Sequence, residues 1–128
     1  MFVFAAIALL AIMAFAFSRL SRVPASATLD PAAAKGRLDG EKGLQLIDVR
    51  SHLEYRSGHL PGAKLIPLQE LGSRLGEIDA SRPVIVYCRS GHRSGLAMQI
   101  LSKAGFKAAC HIGGGILAWE SAGLPTQK

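Results

Sequence analysis

The chain has 128 residues, 49% of them apolar, and 15 Lys and Arg against 9 Asp and Glu leave a net charge of +6. That length holds one compact domain plus an appendage, and 2 cysteines outside any CxxC pair exclude a disulfide framework. The basic residues are scattered, with no basic helix face or basic run interleaved with aromatics, so the pattern is not that of a nucleic-acid binder and suits small anions or an anionic membrane surface.

Met1 to Phe17 carries no charged or strongly polar side chain and is as long as the shortest membrane span, about 17 residues. No Lys or Arg precedes it, whereas Arg19 and Arg22 follow it. The positive-inside tendency then puts the amino terminus outside and the rest of the chain in the cytoplasm. Residues 1–22 are expected to be a single-pass transmembrane anchor, a hydrophobic helix that meets the membrane over residues 1–20. The alternative is a signal peptide, since Ala25-Ser26-Ala27 resembles a small-residue cleavage site and would leave an exported protein starting at Thr28. Residues 23–28 read as a linker and residues 29–128 as the folded domain.

Asp30 followed by Pro31 reads as a helix cap and first turn, and Gly40 as the end of that element. Leu44 to Val49 is expected to be a strand that delivers Asp48 and Arg50 to the edge where parallel sheets gather their sites. Ser51 and Glu54 have capping-box spacing, which predicts a short helix through Arg56 with Gly58 as its stop. His59 is expected to be a hydrogen-bonded loop residue. Ala63 to Ile66 is a brief strand, Leu68 to Leu75 a helix with Leu68, Leu71 and Leu75 on one side, and Asp79 to Arg82 a polar turn.

Pro83 to Tyr87 is an unbroken apolar run, and Leu96, Ala97, Ile100, Leu101 and Ala104 lie on one face of a later segment that ends at Gly105. Between them stands Cys88-Arg89-Ser90-Gly91-His92-Arg93-Ser94, a loop joining a buried strand to a helix. A sulfur placed there meets unpaired main-chain N–H groups, which favour thiolate over thiol. Arg89 and Arg93 add cations, Gly91 permits the curl of the loop, and the same cradle suits an oxyanion. Lys107 to Ile112 is the last strand, with Cys110 expected in the core. Gly113 to Gly115 turns the chain past the loop into a helix whose Trp119 is expected to serve packing.

These residues resemble the single-domain rhodanese family of sulfurtransferases. The likeness rests on the Cys88 loop, on Leu46-Ile47-Asp48-Val49-Arg50 with Glu54 to Ala63, and on Gly113 to Trp119 with Gly123-Leu124-Pro125, in order from roughly Leu29 to Pro125. It implies an α/β fold, an open, mainly parallel five-stranded sheet with helices on both faces, here preceded by the hydrophobic N-terminal helix. It also implies a thiosulfate:cyanide sulfurtransferase without a cofactor. Cys88 would carry a persulfide, and Arg89, Ser90, Gly91, His92, Arg93 and Ser94 would bind the anionic donor. Asp48 and Arg50 would support the loop from behind. The acceptor would be cyanide, a thiol or a sulfur-relay protein, and the cationic loop leans toward thiosulfate.

Three rivals compete. Cysteine phosphatases and arsenate reductases place five residues between cysteine and arginine, whereas four separate Cys88 from Arg93 and position 94 is Ser94. A noncatalytic docking module is the second. The third is a metal site of Cys88, His92, Cys110 and His111, whose ligands lack the paired spacing of a structural zinc centre.

Overall fold

The computed structural model describes residues 27–128. Val84, Ile85, Val86 and Tyr87 are all buried, so their strand must be covered on both faces, as in parallel sheets. It is the fourth of five: β1 (Thr28–Leu29), β2 (Gln45–Asp48), β3 (Lys64–Leu65), β4 (Val84–Tyr87) and β5 (Ala109–Ile112). They pair in the order β1-β5-β4-β2-β3, every neighbour parallel. The helices are α1 (Pro31–Gly40), α2 (His52–Ser57), α3 (Leu68–Leu71), α4 (His92–Lys103) and α5 (Gly115–Ser121), with a 3-10 turn at Leu75–Glu77.

Alternation along the central strands divides the core. Ile47, Val49, Val84, Val86 and Cys88 pack with Leu71, Ala97, Met98 and Leu101, while Leu46, Ile85, Tyr87 and Ile112 pack with Ala34, Leu60, Ile116 and Trp119. Thus α3 and α4 cover one face, and α1 and α5 the other. Trp119 is 1% exposed and its indole N–H donates to the Pro125 carbonyl at 2.9 Å, a packing role.

Local signals set the helix starts. The Asp30 carboxylate accepts the Ala33 N–H at 2.7 Å above Pro31. Ser51 and Glu54 close their capping box reciprocally. His59 is buried, and its Nδ1 lies 2.9 Å from the Tyr55 carbonyl.

Four expectations need correction. Thr28, assigned to the linker, pairs with His111 in β1, a strand of two residues that is too short to show a period. The helix expected over Leu68–Leu75 stops at Leu71, where Gly72 follows, and resumes only as a 3-10 turn. The inward face of α4 is Ser94, Ala97, Met98 and Leu101, whereas Leu96 and Ala104 are exposed. The inward row begins with a hydroxyl because that hydroxyl faces sulfur. Cys110 is half-buried rather than core, and Arg37 Nη1 donates to its sulfur at 3.4 Å.

The anchor and hydrophobic helix expected over residues 1–22 lie outside the described residues, as does most of the linker. Among the described residues no helix is long and apolar enough to cross a membrane.

Candidate active site

Period-two alternation sends the Tyr87 side chain to one face of the sheet and Cys88 to the other, toward α4. Cys88 is 1% exposed, more enclosed than a loop open to solvent would make it. The loop beyond it is held from outside. Ile116 and Leu117, in the first turn of α5, donate their N–H groups to the carbonyls of Cys88 and Arg89 at 2.9 and 3.2 Å. With the carbonyls drawn outward and Gly91 at φ +104°, the amides turn inward. The Gly91 N–H reaches Sγ at 3.1 Å, and the Ser94 hydroxyl lies 3.5 Å away. Burial pushes the Cys88 thiol up, but the Ser94 hydroxyl and the N–H groups of Ser94, Gly91 and Ser90 together hold it below the ordinary cysteine value.

Gly115 makes this approach possible. At φ +59°, a Cβ on residue 115 would run into the Cys88 and Arg89 carbonyl oxygens. Gly115→Ala is therefore expected to push the loop off the sulfur and slow alkylation of Cys88 at neutral pH by up to about tenfold, because the N–H groups that favour thiolate are drawn away. Peptide mapping after timed iodoacetamide treatment measures it.

The loop cations divide. Arg93, expected to contact an anion, forks onto Glu54 at 2.6 and 2.9 Å, so its charge is largely met within the chain. Arg93 draws the Glu54 carboxyl down to about 2, with the Ser51 N–H and hydroxyl assisting against burial. A carboxyl depressed on folding stabilises the fold above its unfolded value near 4.3 and loses that contribution as pH falls through about 2. The difference in urea midpoint between the natural chain and Glu54→Gln is expected to be present at pH 6 and to vanish toward pH 2. Arg89 is exposed and has no ion pair among the described residues. With Arg50, Glu54 and Leu117 it lines an open depression of about 360 Å³. Ser90 and His92, the other polar loop side chains, are exposed.

Asp48 is 0% and Arg50 5% exposed. Arg50 Nη2 donates to Asp48 Oδ2 at 2.7 Å and to the Gly58 carbonyl at 2.7 Å, and the Tyr87 hydroxyl donates to Asp48 Oδ2 at 2.7 Å. Burial and the Asp48 charge drive the Tyr87 phenol far up, so it stays a donor. In turn its oxygen accepts the Leu60 N–H at 3.1 Å. The Asp48–Arg50 pair thus ties β2, β4 and the end of α2 together.

Comparison with known proteins decides the family. The sequence profile of the rhodanese-like domain matches residues 30–122. This chain belongs to the rhodanese-like domain family. The rhodanese-like chain is 40% identical over 94 residues to a Mycobacterium tuberculosis protein named probable adenylyltransferase/sulfurtransferase MoeZ, covering 72% of this chain but only 24% of that protein. A sulfurtransferase of Allochromatium vinosum is 35% identical over 97 residues, 76% of this chain and 91% of its own length. The crystal structure of a rhodanese-related protein from Thermoplasma volcanium superposes with a TM-score of 0.72 at 25% identity, covering 78% of this chain and 96% of that one. The five-stranded parallel sheet expected from the resemblance is the fold observed.

In this rhodanese-like domain one feature escaped the sequence reading. Ser94 Oγ lies 2.9 Å from His111 Nδ1, and His111 Nε2 lies 3.0 Å from Thr28 Oγ1. The sequence pattern presents His111 only as a metal-ligand candidate beside Cys110. Strand alternation separates those two, with Cys110 packing on the α1 and α5 face and His111 reaching Ser94 of α4. Among the described residues no three His, Cys, Asp or Glu side chains converge on a metal position. The available signal was the polar His111 between Cys110 and Ile112, but its partners are 17 and 83 residues away in the chain.

Proposed function

We propose that this rhodanese-like domain moves sulfane sulfur from thiosulfate, or a donor like it, to a thiophilic acceptor through a persulfide on Cys88. The reading rests on one observation: a buried sulfur that receives the Gly91 N–H at 3.1 Å and faces the Ser94 hydroxyl at 3.5 Å. The Cys88 thiolate attacks the outer sulfur of thiosulfate, forming one S–S bond while the other breaks and sulfite leaves with the bonding pair. The terminal sulfur of the persulfide anion sits beside the loop amides, which stabilise charge without a general base. A second nucleophile then takes the outer sulfur and returns Cys88 as thiolate. Cyanide would give thiocyanate, and a thiol or sulfur-relay protein would give a new persulfide.

Arg89 is the cation available to the dianionic donor, with Ser90, His92 and the Gly91 backbone around it. Arg93, balanced by Glu54, acts chiefly by holding α2 against the loop. Asp48 and Arg50 support the strand ends. The hydrophobic amino-terminal segment would hold the domain against the cytoplasmic side of a membrane, a placement that carbonate extraction of membranes tests directly.

Intact mass after exposure to thiosulfate is the decisive measurement for the chemistry. A species heavier by one sulfur, mapped to Cys88 and discharged by cyanide, is expected. No adduct from thiosulfate or any organic persulfide would overturn sulfur transfer and leave a docking module.

A further inference from the structure

The Cys88 thiol is enclosed, yet it must shed a proton to become a nucleophile. Beneath it Ser94 is 0% exposed, His111 is half-buried and Thr28 is exposed at the edge of the sheet. The three successive separations from Sγ are 3.5, 2.9 and 3.0 Å. We propose that Ser94, His111 and Thr28 form a directional hydrogen-bond relay that carries the Cys88 proton to the surface and then aims the Ser94 hydroxyl at the sulfur. The relay deepens, and rests on, the reading of Cys88 as the sulfur nucleophile.

The proton balance is complete. In the thiol state S–H donates to Ser94 Oγ, Ser94 O–H donates to His111 Nδ1, and His111 Nε2–H donates to Thr28 Oγ1. Each proton then moves one place: sulfur's to Ser94, that of Ser94 to Nδ1, that of Nε2 to Thr28, and that of Thr28 to water. One proton has left and no bond between heavy atoms has changed. The row now points the other way, with Thr28 donating to Nε2, Nδ1–H to Ser94, and Ser94 to the thiolate. The imidazole is neutral in both states, in keeping with the burial that lowers its basicity.

The Ser94 hydroxyl explains why direction matters. It has a single hydrogen and three acceptors in reach: the thiolate, His111 Nδ1 and the Gly91 carbonyl at 3.2 Å. A bare Nδ1 competes with sulfur for that hydrogen, whereas Nδ1–H donates to Ser94 and leaves the hydrogen free for the thiolate. The imidazole tautomer therefore selects between them.

Other ionisable groups on the elements around β5 stand outside the row. They are His92, Arg93 and Lys103 on α4, Tyr87 on β4 and Glu120 on α5, while β1 carries none. Arg37 of α1 meets β5 at Cys110, on the other face. Cys88 is the titrating group that the row reaches.

Two measurements on the 128-residue chain test the relay without any sulfur donor. Ring-nitrogen NMR of labelled histidine is expected to show His111 changing from Nε2–H to Nδ1–H, with the midpoint at which Cys88 becomes reactive to iodoacetamide. In Cys88→Ser that change should disappear. Thr28→Val, at an exposed edge, should slow Cys88 alkylation at neutral pH about threefold to tenfold by removing the donor to Nε2. A single tautomer through the Cys88 titration, the same change in Cys88→Ser, or unaltered alkylation in Thr28→Val would overturn the relay. Coupled titration in a chain that never forms a persulfide would uphold the relay and refute sulfur transfer.

Discussion

Cys88→Ser is expected to abolish thiocyanate formation from thiosulfate and cyanide, a loss of about 10⁴-fold or more, while leaving the fold intact. The substituted hydroxyl is close in size and still accepts the Gly91 N–H that Sγ accepts at 3.1 Å. A serine hydroxyl, however, remains protonated in an environment that tips a thiol, and oxygen forms no counterpart of the persulfide. The unfolding free energy should therefore change little, by about 1 kcal/mol or less. Cys110 cannot substitute: it lies on the opposite face of the sheet, beside Arg37 and away from the loop amides. Turnover retained in Cys88→Ser would place the chemistry elsewhere and sink the assignment.

Asp48→Ala is expected to be the most destabilising single change in the domain, costing about 3–5 kcal/mol because it leaves a buried charge without its partner. Arg50 is 5% exposed and would keep only the Gly58 carbonyl and the face of the Tyr87 ring, while the Tyr87 hydroxyl would lose its acceptor. Against a typical domain stability of about 5–15 kcal/mol, that is a large fraction. Urea unfolding should show the loss. Arg50→Met in the same background would recover part of it, since removing both charges is far less costly than stranding one. A midpoint unchanged in Asp48→Ala would mean that the pair contributes nothing net and that the strand ends are held by packing alone.

Much of the architecture could be read from neighbours in sequence. Asp30-Pro31 and the Ser51–Glu54 box mark helix starts because their hydrogen bonds span three residues. The unbroken run Val84–Tyr87 marks a strand covered on both sides, and the cysteine after it marks the candidate site. Where the reading failed, the deciding contact was distant or the element too short. The boundary at Thr28 turned on a two-residue pairing with β5. The inward face of α4 turned on where sulfur lies, which the apolar period of that helix does not encode.

By itself, then, the sequence determined the secondary structure around Cys88 and the residue types in the loop that follows it, since caps, turns and periodicity act over a few bonds. Only the tertiary structure decided how those groups are used. The order β1-β5-β4 places Thr28 and His111 beneath Cys88, and the close pass of Gly115 lets the amides of α5 pull the loop carbonyls outward. The fork from Arg93 to Glu54, 39 residues apart, meets one loop cation within the chain and leaves Arg89 without an ion pair among the described residues. Each of these depends on strand order and close packing, which arise from burying apolar surface across the whole domain and leave no mark in any short stretch of chain.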